Sequence, residues 1–258
     1  MYTLDFNPTA LKILMIEIRW YAVIYALGFI LLYLIINHAA KRKTIQGMDK
    51  DKAELFVIYS ILGVVIGARL FYFVFYDISV FWKNPLEILM IWHAGLSFHG
   101  GLIGFIISAW MFSKKHDINM WAILDMSTIA AISGLMLGRI GNLLNGELAG
   151  TEFNGPWCTI FPLYDTVCRH PYPIYAFISH LILLIYLAVL LYINREKLKE
   201  FIGTKILAAN FLIGYGILRI ITDIWKMDEI LLFMKTGQWL SVIMIIIGAA
   251  IMLYKKKR

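Results

Sequence analysis

A chain of 258 residues that is 60% hydrophobic and only 16% charged, with a mean hydropathy of +0.74, is too apolar for a water-soluble domain of this length. Its formal charge of +7 does not indicate a nucleic-acid binder, because the lysines and arginines gather in alternate loops and are not spread over one face. An integral membrane protein remains.

Crossing roughly 30 Å of hydrocarbon takes about 20 apolar residues. Runs of that kind are predicted at 19–37, 53–76, 95–112, 121–138, 173–193, 206–225 and 239–254. Basic residues mark the loops 38–52 (Lys41, Arg42, Lys43, Lys50, Lys52), 113–120 (Lys114, Lys115) and 194–205 (Arg195, Lys197, Lys199, Lys205), and the C-terminus (Lys255, Lys256, Lys257, Arg258). The positive-inside rule makes those segments cytoplasmic. The fold expected is therefore all-α, with seven transmembrane helices, the N-terminus outside, the C-terminus cytoplasmic and interfacial external segments. Residues 1–258 read as one transmembrane domain. The first run has no basic segment before it and no small-residue cleavage site after it, so it reads as a retained helix.

Residues 1–18 mix apolar positions with Asp5, Asn7, Lys12 and Glu17, as in a segment lying on the external membrane surface. In the first run Tyr21, Tyr25 and Gly28 share a helical face; Tyr21 suits either an interfacial anchor or a site residue. The second run holds Gly63 and Gly67, small residues that let membrane helices approach closely. It also holds Arg69, with Tyr72 and Tyr76 on its face. An arginine at membrane depth costs about 2.5 to 3.5 kcal/mol, so Arg69 either pairs or snorkels, or meets an anionic ligand. Residues 77–93, with Phe81, Trp82 and Trp92, read as an aromatic segment at the external interface.

The third run opens GLSFHGGLIG at 95–104, with Gly100 and Gly104 as a second close-packing pair and His99 among the glycines. His99 is either a satisfied polar residue or a proton carrier working near neutral pH. Asp125 in the fourth run reads as structural, a carboxylate near the positive end of a helix dipole. That run ends GRIGNLLNGELAG at 138–150, with one arginine, two asparagines, one glutamate and four glycines. Polar atoms at that depth need protein partners or a ligand. A helical period carried through places Arg139, Asn142 and Asn145 on one i, i+3 row.

The loop that follows is rich in glycine and proline, and the stretch 139–172 reads as a substrate-docking element. Cys158 and Cys168 lie in it, either as a disulfide closing a short loop or as two inert thiols. Ser179 and His180 are the polar exceptions of the fifth run. In the sixth, Tyr215, Arg219 and Asp223 form one stripe at i, i+4, i+8, and Arg219 with Asp223 reads either as a self-neutralising pair or as part of a site. Gln238 and Ser241 open the seventh. Three unpaired arginines, Arg69, Arg139 and Arg219, would together cost on the order of 8 to 10 kcal/mol in lipid, which favours a shared anionic partner. Guanidinium forks match phosphate oxygens, and the abundant phosphates in a membrane are lipid headgroups.

These residues also carry a resemblance. GRIGNLLNGELAG resembles the signature of the prolipoprotein diacylglyceryl transferase family, and FHGGLIG at 98–104 is similar to its histidine motif. The regions of Tyr21 and Arg69, the Tyr-Gly-x-x-Arg run ending at Arg219, and GQWLS at 237–241 match in order. The resemblance implies a multi-pass enzyme of the bacterial cytoplasmic membrane. It would move the diacylglyceryl group of phosphatidylglycerol to the lipobox cysteine of a preprolipoprotein, with no metal or cofactor and no nucleic-acid partner. It assigns Arg139 and Arg219 to the phosphate and His99 to the thiol proton. Tyr21, Arg69, Asn142, Glu147, Gly150, Tyr215 and Asp223 fall to the substrate site. The chain departs from the family pattern at Leu143, Thr151, Ala176 and Asp223, which bears on acceptor handling. Three other readings stay open: a divergent paralogue with another acceptor, an intramembrane serine hydrolase built on Ser97 and His180, and a lipid or anion transporter.

Overall fold

The computed structural model describes residues 2–4, 6–7, 9–13, 16–75, 78–90 and 95–254. Asp5, Tyr76, Asp77, Trp92, His93 and the basic residues 255–258 lie outside them. Nine helices are described: α1 (Trp20–Lys41), α2 (Lys50–Phe75), α3 (Ile78–Lys83), α4 (Phe98–His116), α5 (Met120–Leu144), α6 (Tyr172–Ile193), the four-residue α7 (Leu198–Phe201), α8 (Ile206–Thr222) and α9 (Thr236–Leu253). Among the described residues six helical segments, formed by α1, α2, α5, α6, α8 with its 3-10 extension, and α9, are long and apolar enough to cross a membrane. The protein is thus an all-α membrane protein in its spanning parts. The expected run at 95–112 is present as the 19-residue α4. Its glycines, histidines and lysines leave it less apolar than those six.

Short strands occur outside the spanning helices. β1 (Tyr2–Thr3) pairs in parallel with β4 (Thr159–Ile160), which pairs antiparallel with β5 (Cys168–Arg169). β2 (Thr9–Ile13) and β3 (Ile16–Arg19) form a hairpin, and so do β6 (Ile230–Leu231) and β7 (Met234–Lys235). Within 1–18, expected only as a surface-lying stretch, the chain therefore folds into strands.

The chain divides into two compact units, Tyr33–Leu124 and Met1–Leu32 with Asp125–Arg258. In the first, α2 packs on α4 through glycine. A Cβ added at Gly104 would lie 1.9 Å from the Gly63 carbonyl oxygen, and one at Gly67 would lie 2.3 Å from that of Gly100. The backbones therefore touch at a distance only glycine allows, as the paired spacing predicts. Ser97 caps α4: its Oγ accepts from the Gly100 N–H at 3.4 Å, and its own N–H donates to the Ala68 carbonyl.

In the second unit, α6 packs on α8 and α8 on α9. Gly28 of α1 faces Gly134 of α5. Asp125 is structural, as expected, but the helix end it serves is not its own. Its carboxylate accepts the backbone N–H groups of Gly203, Lys205 and Ala208, which fixes the start of α8. Cys158 and Cys168 are joined in a disulfide that ties the loop holding β4 and β5.

Candidate active site

The helical period of α5 runs to Leu144, so Arg139 and Asn142 stand one turn apart on one face, as their spacing predicts. The helix is then stopped by Gly146 at φ +65°, and Leu148 takes φ +59°. Only after that reversal does the carboxylate of Glu147 fold back over the helix end. It accepts from Tyr21 OH at 2.9 Å, Asn142 Nδ2 at 3.3 Å and Asn145 Nδ2 at 3.2 Å. Arg139 Nη1 donates to Asn142 Oδ1 at 3.2 Å. Among the described residues Arg139 has no salt bridge, and its buried Nε has no hydrogen-bond partner. A guanidinium tied down by a neutral amide keeps most of its charge available to an anion.

A second cluster sits on α8. Arg219 Nε donates to Asp223 Oδ2 at 2.9 Å, so the pair is formed. Tyr172 OH donates to the other carboxylate oxygen at 2.5 Å, and Arg219 Nη1 reaches Tyr215 OH at 3.5 Å. Asp223 is fully buried while the Arg219 side chain keeps 18% of its surface, so the arginine is the partner that stays open. Gly237 is glycine because a Cβ there would lie 2.5 Å from Asp223 Oδ2. Gln238 donates to the Ile220 carbonyl and accepts from the Lys235 N–H, which makes the GQWLS motif a brace for this cluster. Lys235 Nζ is spent on the carbonyls of Asp223, Ile224 and Lys226.

Gly150 is in the same unit, but contacts backbone. Its N–H donates to the His170 carbonyl, it bridges Lys226, and a Cβ would lie 2.4 Å from the His170 carbonyl oxygen. Thr151 is likewise held by its main chain, donating to Trp225 and accepting from His170. Arg169 is paired with Asp165, whose carboxyl it holds below the ordinary carboxylate range, mainly through their hydrogen bonds.

Arg69 and His99 belong to the other unit. Arg69 is 2% exposed and donates to the backbone carbonyls of Glu87, Ile88, Met90 and Gly95 at 2.6, 3.3, 2.8 and 3.0 Å. Its guanidinium also lies 4.9 Å from the Phe73 ring centroid. Arg69 is therefore a clamp on the segment after α3, and the partner expected of it is protein backbone. His99 is in the first turn of α4, with its ring 6.5 Å from that of Phe71. Ser97, the nucleophile of the hydrolase reading, is 6% exposed and occupied as a helix cap. In the sequence His180 stands out as a polar exception of its run and as the histidine of the hydrolase reading. It is 3% exposed and stacked on Tyr215.

One arginine held by a side-chain amide and one held by a carboxylate, in helices apolar enough to cross a membrane, define a class: membrane proteins with a cationic cluster suited to an anionic group. Comparison with known proteins narrows this. Residues 8–254 match the family model described as prolipoprotein diacylglyceryl transferase. The chain is 32% identical to the phosphatidylglycerol–prolipoprotein diacylglyceryl transferase of Azoarcus sp. (strain BH72), over 96% of this chain and 94% of that one. It is 36% identical to the enzyme of that name from Polynucleobacter asymbioticus, over 95% and 94%, and 35% identical to that of Neisseria gonorrhoeae (strain NCCP11945), again over 95% and 94%. The chain belongs to the prolipoprotein diacylglyceryl transferase family.

Proposed function

We propose that this protein transfers the diacylglyceryl group of phosphatidylglycerol to the lipobox cysteine of a preprolipoprotein, the first step of lipoprotein maturation. The observation that carries this is Arg139, which keeps an unpaired guanidinium face inside the family's signature sequence. The thiol sulfur attacks the glyceryl carbon bonded to phosphate, the carbon–oxygen bond breaks, and glycerol phosphate leaves with the electron pair. A thioether remains. Charge grows on the departing phosphate in the transition state, and Arg139 and Arg219 are the groups that offset it. A thiol of pKa about 8.5 needs a base at neutral pH, and His99 is assigned to it on the histidine motif.

Glu147, held by Tyr21 and both asparagines, positions Asn142 and through it Arg139. Tyr215 and Asp223 position Arg219. Asp223 stands where the family expects glutamate, and Tyr172 donates to its second oxygen. Gly150 contributes to the substrate site by holding the segment around it, and Arg69, assigned to substrate on the motif, holds the segment after α3. The protein works as a multi-pass protein of the bacterial cytoplasmic membrane, as one transmembrane domain over 1–258. Its α4 is the seventh spanning helix, the N-terminus is outside, the C-terminus is cytoplasmic, and the loop 139–172 docks substrate.

The test is purified protein in detergent with phosphatidylglycerol and a lipobox peptide, scored by peptide mass gain and glycerol phosphate release. Mass gain by the diacylglyceryl unit is expected. Absence of any mass gain, or full activity in Arg139→Ala, would overturn the proposal.

A further inference from the structure

One buried group near the two arginines has no part in the reaction as derived. His180, in α6, is 3% exposed, and its ring lies over Tyr215 with centroids 5.5 Å apart and planes 14° from parallel. The Leu135 backbone, one turn before Arg139 in α5, hydrogen-bonds the imidazole. Its Nδ1 is buried with no hydrogen-bond partner among the described residues. Arg139 Nε, in the same unit, is also buried without one.

A buried polar atom left unpaired is costly, so a ligand that satisfies both atoms at once would be favoured. Arg139 Nε calls for an anionic oxygen. The group that meets Nδ1 is constrained from two sides. A cationic amine is disfavoured by like charge beside two guanidinium groups. An apolar group leaves Nδ1 as it is. A hydroxyl both donates and accepts, so it pairs with Nδ1 in either imidazole tautomer.

We propose that His180 Nδ1 pairs with a hydroxyl of the phospholipid's glycerol headgroup while the adjoining phosphate lies on Arg139, so that α6 selects hydroxylated headgroups over hydroxyl-free and amine-bearing ones. This rests on the transferase reading for the identity of the lipid. His180 is here a specificity residue that touches the part of the substrate which leaves. Tyr215 fixes its ring plane, which links headgroup recognition to the Arg219 cluster through the Tyr215 hydroxyl.

The comparison that tests this uses phosphatidylglycerol and phosphatidylpropanol, which share the phosphodiester but differ in headgroup hydroxyls. Full-length protein, a lipobox peptide and mixed micelles of each lipid give kcat/KM. Wild type is expected to prefer phosphatidylglycerol by roughly tenfold or more, because sites built to pair a hydroxyl reject the analogue lacking it. His180→Phe keeps a ring over Tyr215 without Nδ1, and its preference should fall toward unity through loss on phosphatidylglycerol. His180→Gln, whose polar atoms lie further out, should lose it as well and serves if the Phe variant does not fold. His180→Asn, with a polar atom near the Nδ1 position, should retain most of it. Wild-type preference in the Phe or Gln variant, or an equal loss on both lipids, would overturn the proposal. Retention of the two lipids by purified protein is measured in parallel. If wild type modifies no peptide, the transferase reading fails. The retention ratio, wild type against Gln, then still decides whether His180 reads the hydroxyl.

Discussion

Arg69 and Arg139 look alike in the sequence, each a lone arginine in an apolar run beside glycines, yet the two units of the molecule use them in opposite ways. Arg69 gives its donors to four main-chain carbonyls and is closed to anything else large. Among the described residues Arg139 has one side-chain amide, no carboxylate, and a buried Nε left over. The cost of placing a guanidinium in a membrane is met by backbone in the first case and, on the reading above, by substrate in the second. An intramembrane arginine is thus a site only when its donors outnumber the acceptors the fold supplies.

The largest expected effect breaks the pair apart by activity. Arg139→Ala should lower transfer to a lipobox peptide by roughly a hundred- to a thousandfold, the scale for losing a donor to transition-state charge. Its thermal midpoint should stay near wild type, since no salt bridge is lost. A stability loss that matches the activity loss would place Arg139 with Arg69 as a structural group. The reciprocal change is Arg69→Lys. A lysine has three donors on one atom and cannot span four carbonyls in a fork, so it should destabilise the protein by about 2 to 4 kcal/mol. Thermal unfolding in detergent reads this, and transfer per folded molecule should fall far less than in Arg139→Ala. A large activity loss at unchanged stability would show that Arg69 acts on substrate after all.

The difference between the two arginines was only half legible beforehand. Spacing alone aligned Arg139, Asn142 and Asn145, and the glycine pairs 63/67 and 100/104 announced the closest helix contact, because helical periodicity and side-chain size are written in the residues. The partners of Arg69 are carbonyls of residues 87–95, and a carbonyl has no residue identity to read. Glu147 was placed in the site by motif, but its hub role depends on the left-handed turn at Gly146 and Leu148, which carries it back beyond any helical row. Arg219 and Asp223 do form the pair that their spacing allows, yet the arginine stays partly open, and Tyr172, which donates to the second carboxylate oxygen, lies 51 residues before Asp223, beyond the reach of any local pattern. For His180 the sequence offers a polar exception and a hydrolase partner, and no link to the arginines. A histidine in the middle of an otherwise apolar helix was the available signal.

A smaller effect sharpens the Arg139 side. Tyr21→Phe removes one of the hydrogen bonds accepted by Glu147 and leaves those from Asn142 and Asn145. At about 1 kcal/mol for one such bond, kcat/KM should fall roughly fivefold. A loss as large as that of Arg139→Ala would mean that Tyr21 contacts substrate itself and does not act through Glu147.

The smallest effect lies in the loop between α5 and α6 and follows from the sign of one shift. His170 stacks on Phe153 with ring centroids 4.1 Å apart, and its Nδ1 lies 3.0 Å from Tyr175 OH, which also accepts from Trp157 Nε1 at 2.8 Å. Burial in this aromatic cluster pushes the His170 imidazole below its ordinary value. Below about pH 6.5 the unfolded loop therefore binds a proton that the folded loop resists, and stability falls as pH drops from there toward the folded value. Above about pH 6.5 both states are neutral and the contribution is flat. Tryptophan-fluorescence melts of wild type should show the midpoint falling between pH 7 and pH 5, by less than the loss in Arg69→Lys. His170→Phe keeps a ring against Phe153 but cannot titrate, so its midpoint should fall less over that interval. Equal slopes in the two proteins would assign the acid sensitivity elsewhere and leave His170 as packing alone.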